Sequence, residues 1–174
     1  MSENIHQGGC SCGDCRYETN SDPVRARVCH CRYCQLRSGS PFGIGAWFKE
    51  ENVKILKGNF KKYKFVTESG NDFETNFCEK CGTSVYWTIN ADALKGIIAI
   101  GAGTFDPPAF WFDISGEIFT RSKAPFITID CADRFETSPA YKPVKEDDNR
   151  FKGCLLYTSP SPRDQRGSRM PSSA

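Results

Sequence analysis

The 174-residue sequence has no apolar run long enough to cross a bilayer. The longest, Ile97 to Ala102, falls far short of the roughly 20 residues a membrane helix needs, so a membrane is not an expected partner. Met1 to Gly9 is polar and lacks the apolar centre of a secretory signal, which predicts a reducing, cytoplasmic setting. Charge of one sign is also missing. Without the 21 residues from Cys154 onward, 20 basic and 20 acidic side chains remain, and no basic surplus is left to bind nucleic acid. Phosphate loop, dinucleotide fingerprint and nucleophile elbow are all absent. Helix signal is thin, with one short stretch, Arg32 to Ser38, closed by Gly39.

What the chain does have is cysteine, ten in all. One, Cys154, opens a segment unlike the rest: five serines, three prolines, three arginines and a single acid, with no periodicity. Residues Cys154 to Asp164, CLLYTSPSPRD, resemble the translated read-through of a sequencing adapter. Residues 1–150 are therefore read as one zinc-binding domain, and 154–174 as a disordered, artefactual tail.

Eight of the other nine cysteines form three clusters. Cys10-x-Cys12-x2-Cys15 and Cys29-x-Cys31-x2-Cys34 repeat one spacing, and Cys78-x2-Cys81 is followed by Gly82 and Thr83. In a reducing compartment such clusters read as metal sites, and thiolates favour zinc. A four-sulfur site takes two pairs from separate knuckles. Cys78 and Cys81 find theirs in Cys10 and Cys12, where Gly9 and Gly13 permit a tight turn. Cys29, Cys31 and Cys34 have no distant pair, and three protein ligands with one exchangeable position characterise a catalytic zinc. Two zinc ions per chain are expected, the first structural and the second open. Cys15 admits two readings, a fourth ligand closing the second site or a buried thiol on a strand; the alternation of Cys15 to Thr19 favours the strand. Cys131, beside Ile129, is expected in the core.

Between Gly, Asn and Asp breakers lie short segments rich in aromatic and β-branched residues: 24–28, 42–47, 53–56, 60–66, 73–77, 84–89, 97–101 and 117–122. That pattern predicts a mainly β domain of antiparallel sheets with little helix. Lys61, Lys62 and Lys64 suit a solvated strand face. His30 lies between two ligands, with its ring expected to turn away from their metal; an outer contact to metal or substrate is the other option. His6 is expected in solvent, ahead of the domain. Phe42, Trp47, Phe48, Tyr86, Trp87, Phe110, Trp111 and Phe112 suit core packing better than a substrate cleft.

Four segments carry a resemblance. Gly8-Gly9-Cys10-Ser11-Cys12-Gly13 with Arg16-Tyr17, then Cys29-His30-Cys31-Arg32-Tyr33-Cys34 with Gly39 and Phe42, then Phe77 to Thr83, then Ile118 to Pro125, occur in order over about residues 5–140. They resemble the glutathione-dependent formaldehyde-activating family, which includes centromere protein V-like proteins. The resemblance implies a β-tent fold stapled by zinc, with Cys10, Cys12, Cys78 and Cys81 on a structural ion and Cys29, Cys31 and Cys34 on a catalytic one. It also implies carbon–sulfur lyase chemistry, the joining of a small thiol such as glutathione to a small aldehyde such as formaldehyde, giving S-(hydroxymethyl)glutathione.

Three thiolates on Zn2+ leave a net charge of −1, which weakens Lewis acidity but keeps a bound thiolate nucleophilic. Thiol transfer therefore fits the trio better than water activation, and ester or peptide hydrolysis is expected to be poor. The rival expectation is a non-catalytic, zinc-stapled interaction module with the second site closed. Iron in a rubredoxin-like site is a third option.

Overall fold

The computed structural model describes residues 5–146. The tail from Cys154 lies outside the described residues.

The strands of the described residues form two sheets. Strands β1 (His6–Gly9), β2 (Arg16–Thr19) and β5 (Val53–Lys57) form a three-stranded antiparallel sheet with β2 in the middle. The larger sheet has eight strands: β3 (Arg25–Cys29), β4 (Gly43–Lys49), β6 (Phe60–Val66), β7 (Asp72–Cys78), β8 (Ser84–Ile89), β9 (Ile97–Gly101), β10 (Gly116–Ile118) and β11 (Asp133–Phe135). Its order is β11-β10-β3-β4-β9-β8-β7-β6. Neighbours are antiparallel except at one end, where β10 runs parallel to both β3 and β11. The expected mainly β, antiparallel architecture is what the chain adopts.

Alternation sorts the large sheet into two faces. Ala26, Ala46, Phe48, Ile98 and Ile100 point to one side and pack against Tyr17 of the small sheet, together with Phe105 and the buried Cys10, Cys15 and Cys78. The approach there is close: a β-carbon on Gly8 would lie 2.3 Å from the Tyr17 hydroxyl and 2.5 Å from the Thr104 carbonyl oxygen. Trp47, Ala99, Trp87 and Phe73 occupy the opposite face as a second apolar cluster. The α-helix α1 (Arg32–Ser38) lies on that side, with Tyr33 stacked on Phe65 and the Arg37 guanidinium 3.4 Å from the Trp87 ring centre. The helix stops where expected. Gly39 takes a left-handed conformation and its N–H donates to the Gln35 carbonyl at 2.8 Å.

Several expectations change. The segment 117–122 is strand only to Ile118; Phe119 turns left-handed at φ 57° and Thr120–Ser122 make a 3-10 turn, which brings Lys123 back onto Glu117. His6 is part of β1, and its ring stacks on Trp111 at 3.6 Å instead of facing solvent. Cys131 is half-buried in a loop, not in the core. The run around Ile129 gains no strand partner, and the Ile129 carbonyl instead accepts from the Arg134 guanidinium at 2.9 Å. The three lysines of β6 are exposed as expected, with Lys62 and Lys64 flanking Glu74 at 2.8 and 3.0 Å.

Candidate metal centres

The chain gathers cysteines at two places. Cys10 and Cys12 leave β1 in a turn, and Cys78 ends β7 with Cys81 in the turn toward β8. All four sulfurs lie within 4.8 Å of one another. Cys10 Sγ is 3.4 Å from Cys12 Sγ, and Cys12 Sγ is 3.8 Å from Cys78 Sγ. These separations are too long for disulfides and match the roughly 3.8 Å edge of a tetrahedron with 2.3 Å metal–sulfur bonds. The donor set fits a zinc-like ion.

The turns are built for this. Gly13 and Gly82 both take positive φ, 75° and 74°, as their N–H groups bond back to the carbonyls of Cys10 and Cys78 at 3.0 Å. Ser11 and Thr83 tie the two knuckles through hydroxyls 3.1 Å apart. Those hydroxyls also draw the Cys81 thiol down to about 5. The Cys15 backbone N–H donates to Cys10 Sγ at 3.2 Å.

Cys15 itself, 1% exposed, sits in the core beside this first cluster, its thiol donating to the Asn59 carbonyl at 3.5 Å. Burial and then the neighbouring Cys78 push it up to about 12. It does not join the second group.

That second group is Cys29, Cys31 and Cys34, whose sulfurs also lie within 4.8 Å of one another. Cys29 ends β3, Cys31 precedes α1, and Cys34 lies in the helix's first turn, so one strand end and one helical turn supply all three. Among the described residues no histidine, cysteine or carboxylate completes the set to four. Crowding shows in the acidities. Cys31 and Cys34, then burial, raise Cys29 well above the ordinary range; Cys34 is held well below it by Cys29 and Cys31 against burial, with the Arg37 charge assisting. A cation relieves this kind of repulsion, and three clustered sulfurs fit a soft divalent metal. Gly43 faces this helix from β4: a β-carbon there would come within 3.2 Å of the Cys34 β-carbon.

His30 turns inward between Cys29 and Cys31 and is fully buried, its Nε2 3.0 Å from Glu117 Oε2. Glu117, 1% exposed, also accepts from Lys123 Nζ at 2.8 and 2.9 Å and from Arg134 Nε at 3.2 Å. This network ties the trio's strand to β10 and β11.

The trio opens on a cavity of about 270 Å3 over the second face of the large sheet. Trp47, Phe73 and Trp87 form its apolar wall, so two tryptophans expected in the core also line a cleft. Arg25, Arg27 and Arg37 line it too. Sequence reasoning passed over these arginines and Glu117. The signal for two of them was present, because Arg25-x-Arg27-x-Cys29 on a strand puts all three side chains on one face.

Residues 5–122 match the family model described as glutathione-dependent formaldehyde-activating enzyme. No curated protein matches the chain. Among solved structures, the crystal structure of a Rhodobacter sphaeroides protein is similar at 21% identity, covering 58% of this chain and 88% of that chain, with a TM-score of 0.46.

Proposed function

Because the chain belongs to the glutathione-dependent formaldehyde-activating enzyme family, we propose that it catalyses the reversible addition of a small thiol to a small aldehyde. The class is that of a carbon–sulfur lyase acting in the manner of S-(hydroxymethyl)glutathione synthase. Cys10, Cys12, Cys78 and Cys81 hold a structural zinc; Cys29, Cys31 and Cys34 hold the catalytic one. The observation that carries this is the second group's geometry, three sulfurs without a fourth protein donor among the described residues, facing a cavity large enough for a substrate.

In the forward direction the thiol sulfur bonds to the carbonyl carbon, the C=O π bond breaks, and the thiol proton ends on the new hydroxyl oxygen. A zinc ion on the trio supplies positive charge that lowers a thiol's pKa and draws charge from a carbonyl oxygen. The protein's own groups do the positioning. Arg37 Nη2 donates to Cys34 Sγ at 3.6 Å, and the buried His30–Glu117 pair fixes the strand end between Cys29 and Cys31.

The test is adduct formation from glutathione and formaldehyde, followed by NMR exchange on zinc-loaded protein. Acceleration over the spontaneous reaction, lost in Cys34→Ser with one of two zinc ions, is the expected result. Two bound zinc ions with no acceleration for any small thiol and aldehyde pair would leave the interaction-module alternative standing instead.

A further inference from the structure

Three guanidinium groups line one cavity, and no carboxylate among the described residues pairs with any of them. Arg27 and Arg25 alternate along β3 with Cys29, two and four residues from it, or roughly 7 and 13 Å along the strand. Their charges repel. Burial, and then the charge of Arg27, lowers the Arg25 pKa. Arg27 Nε is buried without a hydrogen-bond partner. Placing two half-buried cations side by side with no carboxylate beside them among the described residues, and only the sulfur trio as a negative group on the same cavity, is costly unless something else neutralises them. Aromatic faces hold them: Arg25 lies over Trp47 at 4.9 Å, Arg27 over Phe135 at 5.5 Å. The cationic row starts at the sulfur trio, and the tryptophan wall runs beside it.

We propose that this cavity binds a carboxylate, held by Arg25 and Arg27, with an apolar body against Trp47 and Trp87. Resting on the function proposed above, the thiol partner of the reaction is then an anionic one, its sulfur at the trio and its carboxylate along β3. A guanidinium fork matches a carboxylate in shape and makes charge-assisted hydrogen bonds in an environment that screens them weakly. Arg25 and Arg27 thus act as specificity-determining residues.

Tryptophan fluorescence of the zinc-loaded full chain provides the test, with phenylacetate, its neutral amide and acetate as thiol-free probes. Phenylacetate should bind about tenfold or more tightly than phenylacetamide, and tighter than acetate. That preference should fall to near unity in Arg25→Gln and Arg27→Gln. Equal binding of acid and amide by the wild type overturns the proposal, and that comparison stands even where a variant does not fold. A carboxylate preference that survives both substitutions also overturns it, because the anion then sits elsewhere, the trio's metal included. Acetate binding as tightly as phenylacetate removes the apolar contact. None of these probes can form an adduct, so the carboxylate site and the thiol–aldehyde reaction can fail separately.

Discussion

Replacing Cys15 with alanine separates the two ways in which this chain uses sulfur. Cys15 repeats the spacing of Cys34 within its own cluster, yet the structure buries it beside the first cluster instead of within either sulfur group. Cys15→Ala removes one buried sulfur, about the size of a methylene group. The transfer term is about 0.8 kcal/mol. A residual cavity of roughly 20–25 Å3 adds about 0.5 kcal/mol. The long contact to the Asn59 carbonyl, 3.5 Å, contributes little. The expected cost is therefore about 1–1.5 kcal/mol, a fall in Tm of roughly 2–6 °C. Zinc content should stay at two per chain. A lost ligand behaves differently, because structural zinc sites contribute on the order of 10 kcal/mol to folding. Metal analysis and scanning calorimetry on the same preparation provide both numbers. One zinc missing from Cys15→Ala, or a Tm lowered by tens of degrees, would refute the assignment of Cys15 to the core.

Glu117→Gln leaves His30, Lys123 and Arg134 without their shared anion, at a cost of about 3 kcal/mol, read as a lower urea midpoint. Burial pushes Glu117 up, but Lys123 and His30 outweigh it and hold its pKa below the ordinary 4.5. Its contribution is thus complete above that value and fades as pH falls through the lower folded one, so the gap between wild type and variant should close in acid; a gap that widens there contradicts the sign. Gly8→Ala forces a β-carbon against the Tyr17 hydroxyl and the Thr104 backbone, and a loss of about 3 kcal/mol of stability is expected, read as a lower unfolding midpoint. An unchanged midpoint would mean that the Tyr17 ring and the Thr104 backbone can move aside there without cost.

Much of this was legible before the structure, for physical reasons. Strands β6, β8 and β9 and helix α1 have the expected bounds because each is local: alternation or a helical turn, ended by glycine or a polar breaker. The pairing of Cys10 and Cys12 with Cys78 and Cys81 followed from the number of ligands a metal takes. What stayed hidden depends on distant partners. His6 is ordered because Trp111, over a hundred residues away, covers its ring. Glu117 is the strand residue expected, but nothing local reveals that Lys123, Arg134 and His30 converge on it. The cavity was hidden for the same reason: a tryptophan that packs one face of a sheet and one that walls a cleft have the same local sequence.

The two clusters differ in what a metal would have to do. The first joins segments 66 residues apart between Cys12 and Cys78, and closing such a loop costs about 4 kcal/mol of chain entropy. It also sits where the small sheet meets the large one, among residues of the main core. Occupancy there is bound up with folding. The second takes all its sulfurs from six consecutive residues at a strand end and one helical turn, already fixed by the His30–Glu117 pair and the Gly39 cap. Its geometry needs no metal to draw distant parts together. The free energy of an ion on the trio would therefore be available for binding and exchanging ligands instead of for folding.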